Sequence, residues 1–191
     1  MTCGSSLRRF RPQAGEIVAI RLRVGQEMLG DPIPYSAQLA KQFNSTAGKL
    51  VAREGNDPAG LLRIEEAGLA IVTYFSNASS VEQVPEKFAA YVKEEGLEGI
   101  AARRDGKTVR EWFTRCAKSL VGTGAGQDRA VGMPLELVAE GKGGFRLLWQ
   151  AKPLAGALVV ARNKQGPMEK ITARTGADGR VRLNCRVAGC G

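Results

Sequence analysis

Cys116 stands between Arg115 and Lys118, where nearby cations would lower a thiol pKa and make the thiolate available as a nucleophile. The chain contains no histidine, so the usual base is missing, and a buried structural cysteine is the favoured reading. Glu65-Glu66 and Glu94-Glu95 are adjacent pairs whose side chains diverge on a helix or a strand, so neither makes an acid/base couple. The densest basic run is Arg103-Arg104-Asp105-Gly106-Lys107 with Arg110. Such charges neutralise phosphates, but aromatics are only 6% of the chain and none interrupts this run, so base stacking has no platform and no nucleic-acid partner is expected. Gly122-Thr123-Gly124-Ala125-Gly126 lacks the lysine-serine ending of a phosphate loop and reads as a linker. Cys3, Cys116, Cys185 and Cys190 form no Cys-x-x-Cys pair, and without histidine no zinc ligand set is complete.

The elements that would carry these residues are mostly strands. With 191 residues and 43% hydrophobic content the chain can bury a core. From Glu16 to Val24, alternation places Val18, Ile20, Leu22 and Val24 on one face of a strand. Short strands are predicted at Gln38 to Phe43 and Lys49 to Arg53 around an Asn44 to Gly48 turn. Another is predicted at Leu61 to Ile64, and a buried strand at Gly68 to Phe75. Ser80-Val81-Glu82-Gln83 resembles a capping box ahead of Pro85, and Phe88, Tyr91 and Val92 share a helical face that Gly96 ends. A second short helix is predicted from Leu97 to Arg104. Val109 to Val121 has mixed periodicity and is read as a strand. Leu135 to Ala139 and Phe145 to Trp149 open a further β-rich region.

The best-patterned stretch is Trp149 to Asn184. It reads as strands at Ala157 to Arg162, Lys170 to Thr175 and Arg180 to Asn184, the last two buried on one side only. Asp178-Gly179 predicts a hairpin between them, because a tight turn matched to strand twist needs positive φ. Lys152-Pro153-Leu154-Ala155-Gly156-Ala157, followed by Thr175-Gly176-Ala177-Asp178-Gly179-Arg180-Val181, resembles transthyretin-like or immunoglobulin-like domains of exported bacterial proteins. Upstream, the segments Phe88 to Leu97, Arg110 to Leu120 and Gly132 to Val138 occur in the order of one uncharacterised bacterial family, NikM-like, a presumed periplasmic component of cobalt or nickel uptake. The resemblance runs from about Phe10 to Asn184.

That resemblance implies a periplasmic location, a membrane transport component as partner, and nickel or cobalt as the metal, with no cofactor otherwise evident. It also sets Arg110, Glu111, Arg115 and Lys118, which match the family's charged pattern, as candidates for lining an anion or ligand cleft; neighbouring surface ion pairs are the alternative. Family members carry a signal peptide and then His-Asp-(Leu/Phe)-Trp-Ile-Glu-Pro ahead of the Phe-x-Pro seen at Phe10 to Pro12. Here Met1 to Leu7 takes that place, and codons for the family segment read one base late spell Met-Thr-Cys-Gly-Ser-Ser. A one-base shift likewise turns the family's Gly-Val-Trp-Leu into the terminal Gly-Cys-Gly. Both ends are therefore expected to be frameshifted and the last strands lost. As written, the chain has no signal peptide and would stay in the cytoplasm. No apolar run is long enough to span a bilayer, and the net charge of +9 describes a basic surface.

The expectation is a mainly β protein with a small helical insertion. It comprises two β-sandwich-like domains: residues 1–126, with the helical excursion near 80–104, and a transthyretin-like or immunoglobulin-like domain at 133–191, incomplete at its C-terminus. The expected function is a non-enzymatic extracytoplasmic accessory or binding protein linked to nickel or cobalt uptake. A structural envelope or protein-interaction module without metal affinity is the first alternative, and a cysteine-dependent enzyme built on Cys116 the second.

Overall fold

The computed structural model describes residues 12–25, 30–97, 107–122, 126–163 and 166–183. The protein is mainly β, with antiparallel pairing in every sheet among the described residues. The first strands are β1 (Ile17–Ile20), β2 (Leu22–Val24), β3 (Asp31–Ile33), β4 (Ala40–Ser45), β5 (Lys49–Ala52), β6 (Gly60–Arg63) and β7 (Leu69–Ser76). Then come β8 (Ser79–Gln83), the helix α1 (Pro85–Glu94), β9 (Val109–Phe113) and β10 (Cys116–Gly122). The rest is β11 (Leu135–Gly141), β12 (Gly144–Trp149), β13 (Lys152–Pro153), β14 (Leu158–Asn163), β15 (Gly166–Arg174) and β16 (Arg180–Arg182).

The chain forms two compact units, Met1–Ser76 with Arg115–Gly191, and Asn77–Thr114. The boundary anticipated at residues 126–133 lies inside the larger unit. Within that unit, β7 is the centre of a sheet ordered β10-β7-β4, and β6 is the centre of a second sheet ordered β1-β6-β5. Val18, Ile20, Leu62 and Ile64 from one sheet and its margin pack with Ala70, Val72 and Val121 from the other. β7 has an almost continuous buried run, Ala70 to Tyr74, because partners on both edges cover its backbone and side chains pack on both faces. Its polar residue, Thr73, is 1% exposed and hydrogen-bonded: the hydroxyl donates to Asn44 Oδ1 at 2.5 Å and accepts from Gln42 Nε2 at 3.0 Å.

The single strand expected from Glu16 to Val24 is divided at Arg21. Val18, Ile20 and Leu22 keep one buried face, as alternation requires, but β1 pairs with β6 whereas β2 pairs with β3. Leu22 thereby joins a different cluster, with Ala59, Tyr74 and Ala117. The turn expected at Asn44 to Gly48 is present between β4 and β5, with Gly48 at φ +74°.

The smaller unit is a ribbon of β8 and β9 with α1 between them. Ser80 is not a helix cap: it sits in the ladder opposite Trp112, and the cap residue is Val84, which has no side-chain cap bond. Pairing across the ribbon satisfies the backbone of Ser80, so its hydroxyl is not recruited to the helix. Pro85 still begins the helix, Gly96 at φ +65° follows its end, and Val92 is its buried residue. The second helix predicted from Leu97 lies outside the described residues beyond Leu97 itself.

In the C-terminal part, β11 and β12 form a hairpin, and β12 also pairs with β13 and β16. β14 pairs with β15. Leu147, Val159, Val181 and Leu183 are buried together. The predicted hairpin between the strands at 170 and 180 is corrected: the Asp178-Gly179 turn exists, but β16 leaves β15 and pairs with β12. Gly179, at φ +73°, is hydrogen-bonded to Leu147 through its carbonyl, and a Cβ there would lie 2.7 Å from the Leu147 carbonyl oxygen. The turn is therefore pressed against β12, which aligns β16 with that strand. Ile171, expected on a buried face, is 39% exposed.

Candidate functional site

The structure joins Val109 to Val121 neither as one strand nor as a helix. β9 and β10 are separate strands in different compact units, each with its own partner. Arg115 lies at the break, where its backbone N–H donates to Ser76 Oγ at 2.9 Å and its carbonyl accepts from the Ser76 N–H at 2.9 Å.

Alternation along β10 decides what each of its residues faces. Ala117 and Val121 are buried in the clusters behind the strand. Cys116, Lys118 and Leu120 line a cavity of about 340 Å³ together with Asp128, Met133, Glu136 and apolar residues of β11 and β12 that include Leu137 and Phe145. Lysine in such a place needs anionic partners, because burying an unpaired ammonium is costly. Lys118 Nζ lies 2.7 Å from Asp128 Oδ1 and 2.9 Å from Glu136 Oε1; the side chains are 10%, 5% and 2% exposed respectively. It also donates to the Arg129 carbonyl at 2.8 Å.

Backbone amides satisfy the remaining carboxylate valences. Glu136 accepts from the N–H groups of Val131 at 2.8 Å, Gly132 at 3.2 Å and Met133 at 3.3 Å, so the segment ahead of β11 is wrapped around one carboxylate. Asp128 accepts from Ala139 N–H through Oδ2 and from Arg129 N–H through Oδ1, both at 2.8 Å. The cluster therefore fastens β10, the segment before β11, and β11 at one point. Among the described residues no buried side-chain nitrogen or oxygen lacks a partner.

Three of the four residues proposed for one cleft, Arg110, Glu111 and Lys118, take different side-chain partners. Arg110 pairs with Glu82 across the β8–β9 ribbon, Nε to Oε1 at 2.9 Å, on an exposed surface. Glu111, on the alternate face, accepts from Gln83 Nε2 at 3.2 Å and from the Tyr91 hydroxyl at 3.3 Å. Burial, followed by the Glu111 carboxylate, holds the Tyr91 phenol above its ordinary pKa. Lys118 alone of the four enters the buried cluster. Asp128 and Glu136 were not singled out in the sequence, although Glu136 falls in the Gly132 to Val138 segment that carries the resemblance. The available signal was a lysine on an amphipathic strand, which demands an acid without naming it.

At Cys116 the environment runs against a thiol activated by Arg115 and Lys118, the less favoured of the two readings: burial pushes its pKa up, a hydrogen bond involving the Leu135 backbone pulls it partly back, and the Glu136 carboxylate raises it again. The Lys118 charge is already engaged by two carboxylates. Thiolate is accordingly scarcer at neutral pH than for an ordinary cysteine. A mild thiol reagent at neutral pH, followed by peptide mapping, is expected to label Cys116 slowly, with labelling accelerating only as pH rises beyond the usual thiol range. Rapid, selective labelling at neutral pH would restore the nucleophile.

Among the described residues, no group of three or more His, Cys, Asp or Glu side chains is placed to hold a metal ion. No described helix is long and apolar enough to cross a membrane. The site thus defines a mainly β chain with a buried ionic cluster beside an apolar cavity. The chain matches no protein-family model, no curated protein and no solved structure.

Proposed function

We propose that this chain is a non-enzymatic extracytoplasmic accessory or binding protein, periplasmic in setting, that serves nickel or cobalt uptake beside a membrane transport component. The observation that carries the non-enzymatic part is the mutual engagement of the reactive groups in the cavity beside β10. Lys118 is held by Asp128 and Glu136, and Cys116 is held in its thiol form, which is the arrangement of a scaffold. The metal and the partner rest on the resemblance of the segments around Phe88, Arg110 and Gly132. Calorimetric titration of nickel and cobalt ions into the full chain tests them, and a saturable heat with either ion is the expected result.

A second reading, an envelope or protein-interaction module without metal affinity, is favoured by a different observation. Trp112, on the β8–β9 ribbon opposite Ser80, is 68% exposed. A large exposed aromatic side chain on a short ribbon suits contact with another protein. The absence of saturable heat with both metals would move the assignment to this module.

A further inference from the structure

The contact between Lys118 and Asp128 has the composition of a condensation site. An amine nitrogen and a carboxylate oxygen meet at 2.7 Å, 10% and 5% exposed, and a third side chain able to carry a proton, Glu136, touches the same nitrogen at 2.9 Å. Each carboxylate is fixed by backbone donors, so the groups are oriented before any reaction. In water such a pair stays ionic, because solvent stabilises both charges and the protonated amine has no lone pair with which to attack. Here water is largely excluded, two charges carry a desolvation cost, and fixed neighbours replace a bimolecular encounter with an intramolecular one.

We propose that Lys118 and Asp128 join in an intramolecular amide bond, with Glu136 as proton relay. The ammonium first gives one proton to Asp128 Oδ1, 2.7 Å away, which leaves a free amine beside a neutral carboxylic acid; Nζ then attacks Cγ as Glu136 Oε1, 2.9 Å away, takes a second proton from the nitrogen. Charge developing on Oδ2 is met by the Ala139 N–H, already 2.8 Å away, so Oδ2 remains as the amide oxygen. The Cγ–Oδ1 bond breaks, and Oδ1 departs as water carrying both lysine protons, the first received directly and the second returned by Glu136. An ammonium and a carboxylate become one neutral amide and one water. Charge is conserved, no oxidant or external reactant enters, and Glu136 ends as it began.

The product ties β10 to the segment preceding β11 by a covalent link that survives denaturation. It is a self-modification, not turnover, and it is independent of whether the chain binds a metal. Its position makes a simple chemical signature. Trypsin cutting after Arg115, Lys118 and Arg129 gives two separate peptides if Lys118 is free. A linked Lys118 resists cleavage, so Cys116 to Arg129 persists as one looped peptide lighter by one water.

The experiment is denaturing mass spectrometry of the purified full chain, followed by tryptic mapping. The expected mass is one water below that of the sequence, with the looped peptide recovered and no backbone fragmentation between Lys118 and Asp128. Asp178-Gly179 can also lose water by cyclising on its own backbone, and the peptide map separates that loss from this one. Lys118→Arg, which keeps the charge but removes the reacting amine, is expected to restore the full mass of its sequence. Glu136→Gln is expected to prevent the link or slow it at least tenfold. A wild-type chain of unshifted mass that trypsin cuts after Lys118 overturns the proposal, as does water loss retained in Lys118→Arg. A link that forms undiminished in Glu136→Gln overturns the role given to Glu136.

Discussion

Measured against the Lys118→Arg chain, which keeps the charge and cannot form the amide, replacing Lys118 by Met is expected to lower the unfolding free energy by about 3–5 kcal/mol, the range for removing one member of a buried ion pair. The side-chain volume is nearly kept, so cavity formation contributes little. The loss comes from leaving Asp128 and Glu136, 5% and 2% exposed, facing one another without the cation that lay 2.7 and 2.9 Å away. Urea unfolding of both proteins measures it, and a loss below about 1 kcal/mol would contradict the role assigned to the cluster. Adding Glu136→Gln to the Lys118→Met chain is expected to recover part of the loss, since it removes one of the uncompensated charges. The two substitutions are then non-additive, as contacting residues should be. Arg110→Ala removes a surface pair that is exposed on both sides and is expected to leave the urea midpoint almost unmoved. The contrast assigns the effect to burial and not to charge alone.

Leu62→Ala is expected to cost about 2–5 kcal/mol, the range for truncating a fully buried aliphatic side chain. Leu62 is 0% exposed and packs among Val18, Ile20, Ile64, Ala70, Val72 and Val121. The cost sums the lost transfer of its methyl groups from water and the void left where neighbouring strands cannot close in. β6 is flanked on both edges by β1 and β5, which limits relaxation. Val51→Ala on β5 is the matched control: Val51 is 49% exposed, and its truncation is expected to shift stability by no more than about 0.5 kcal/mol. Similar midpoints for the two variants would mean that the contacts around Leu62 are not those of a close-packed core.

The two variants probe different kinds of information. Alternation of Val18, Ile20 and Leu22, the apolar run through β7, the Pro85 start and the turn glycines were all readable, because each reflects a local rule about periodicity or backbone conformation. The strand reading of Val109 to Val121 was right in type but missed the break at Thr114-Arg115, since its cause is a change of partner from β8 to β7. The capping box around Ser80 obeyed a local pattern and lost to ladder pairing opposite Trp112.

The Asp178-Gly179 pair determined a turn but not which strand would accept the chain leaving it; contact between Gly179 and β12 decided that. The candidate site divides in the same way. Sequence placed Lys118 on a strand in a run of close charges and grouped it with Arg110, Glu111 and Arg115 as candidates for a ligand cleft. Only the tertiary structure selected Asp128 and Glu136 as its partners and gave Arg110 and Glu111 partners of their own. What the sequence determined by itself was the mainly β class and the faces its strands bury, because a side-chain period follows from local backbone geometry. What tertiary structure alone decided was the ionic cluster and the thiol's raised pKa, because a charge is set by groups distant in the chain that folding brings within a few ångströms.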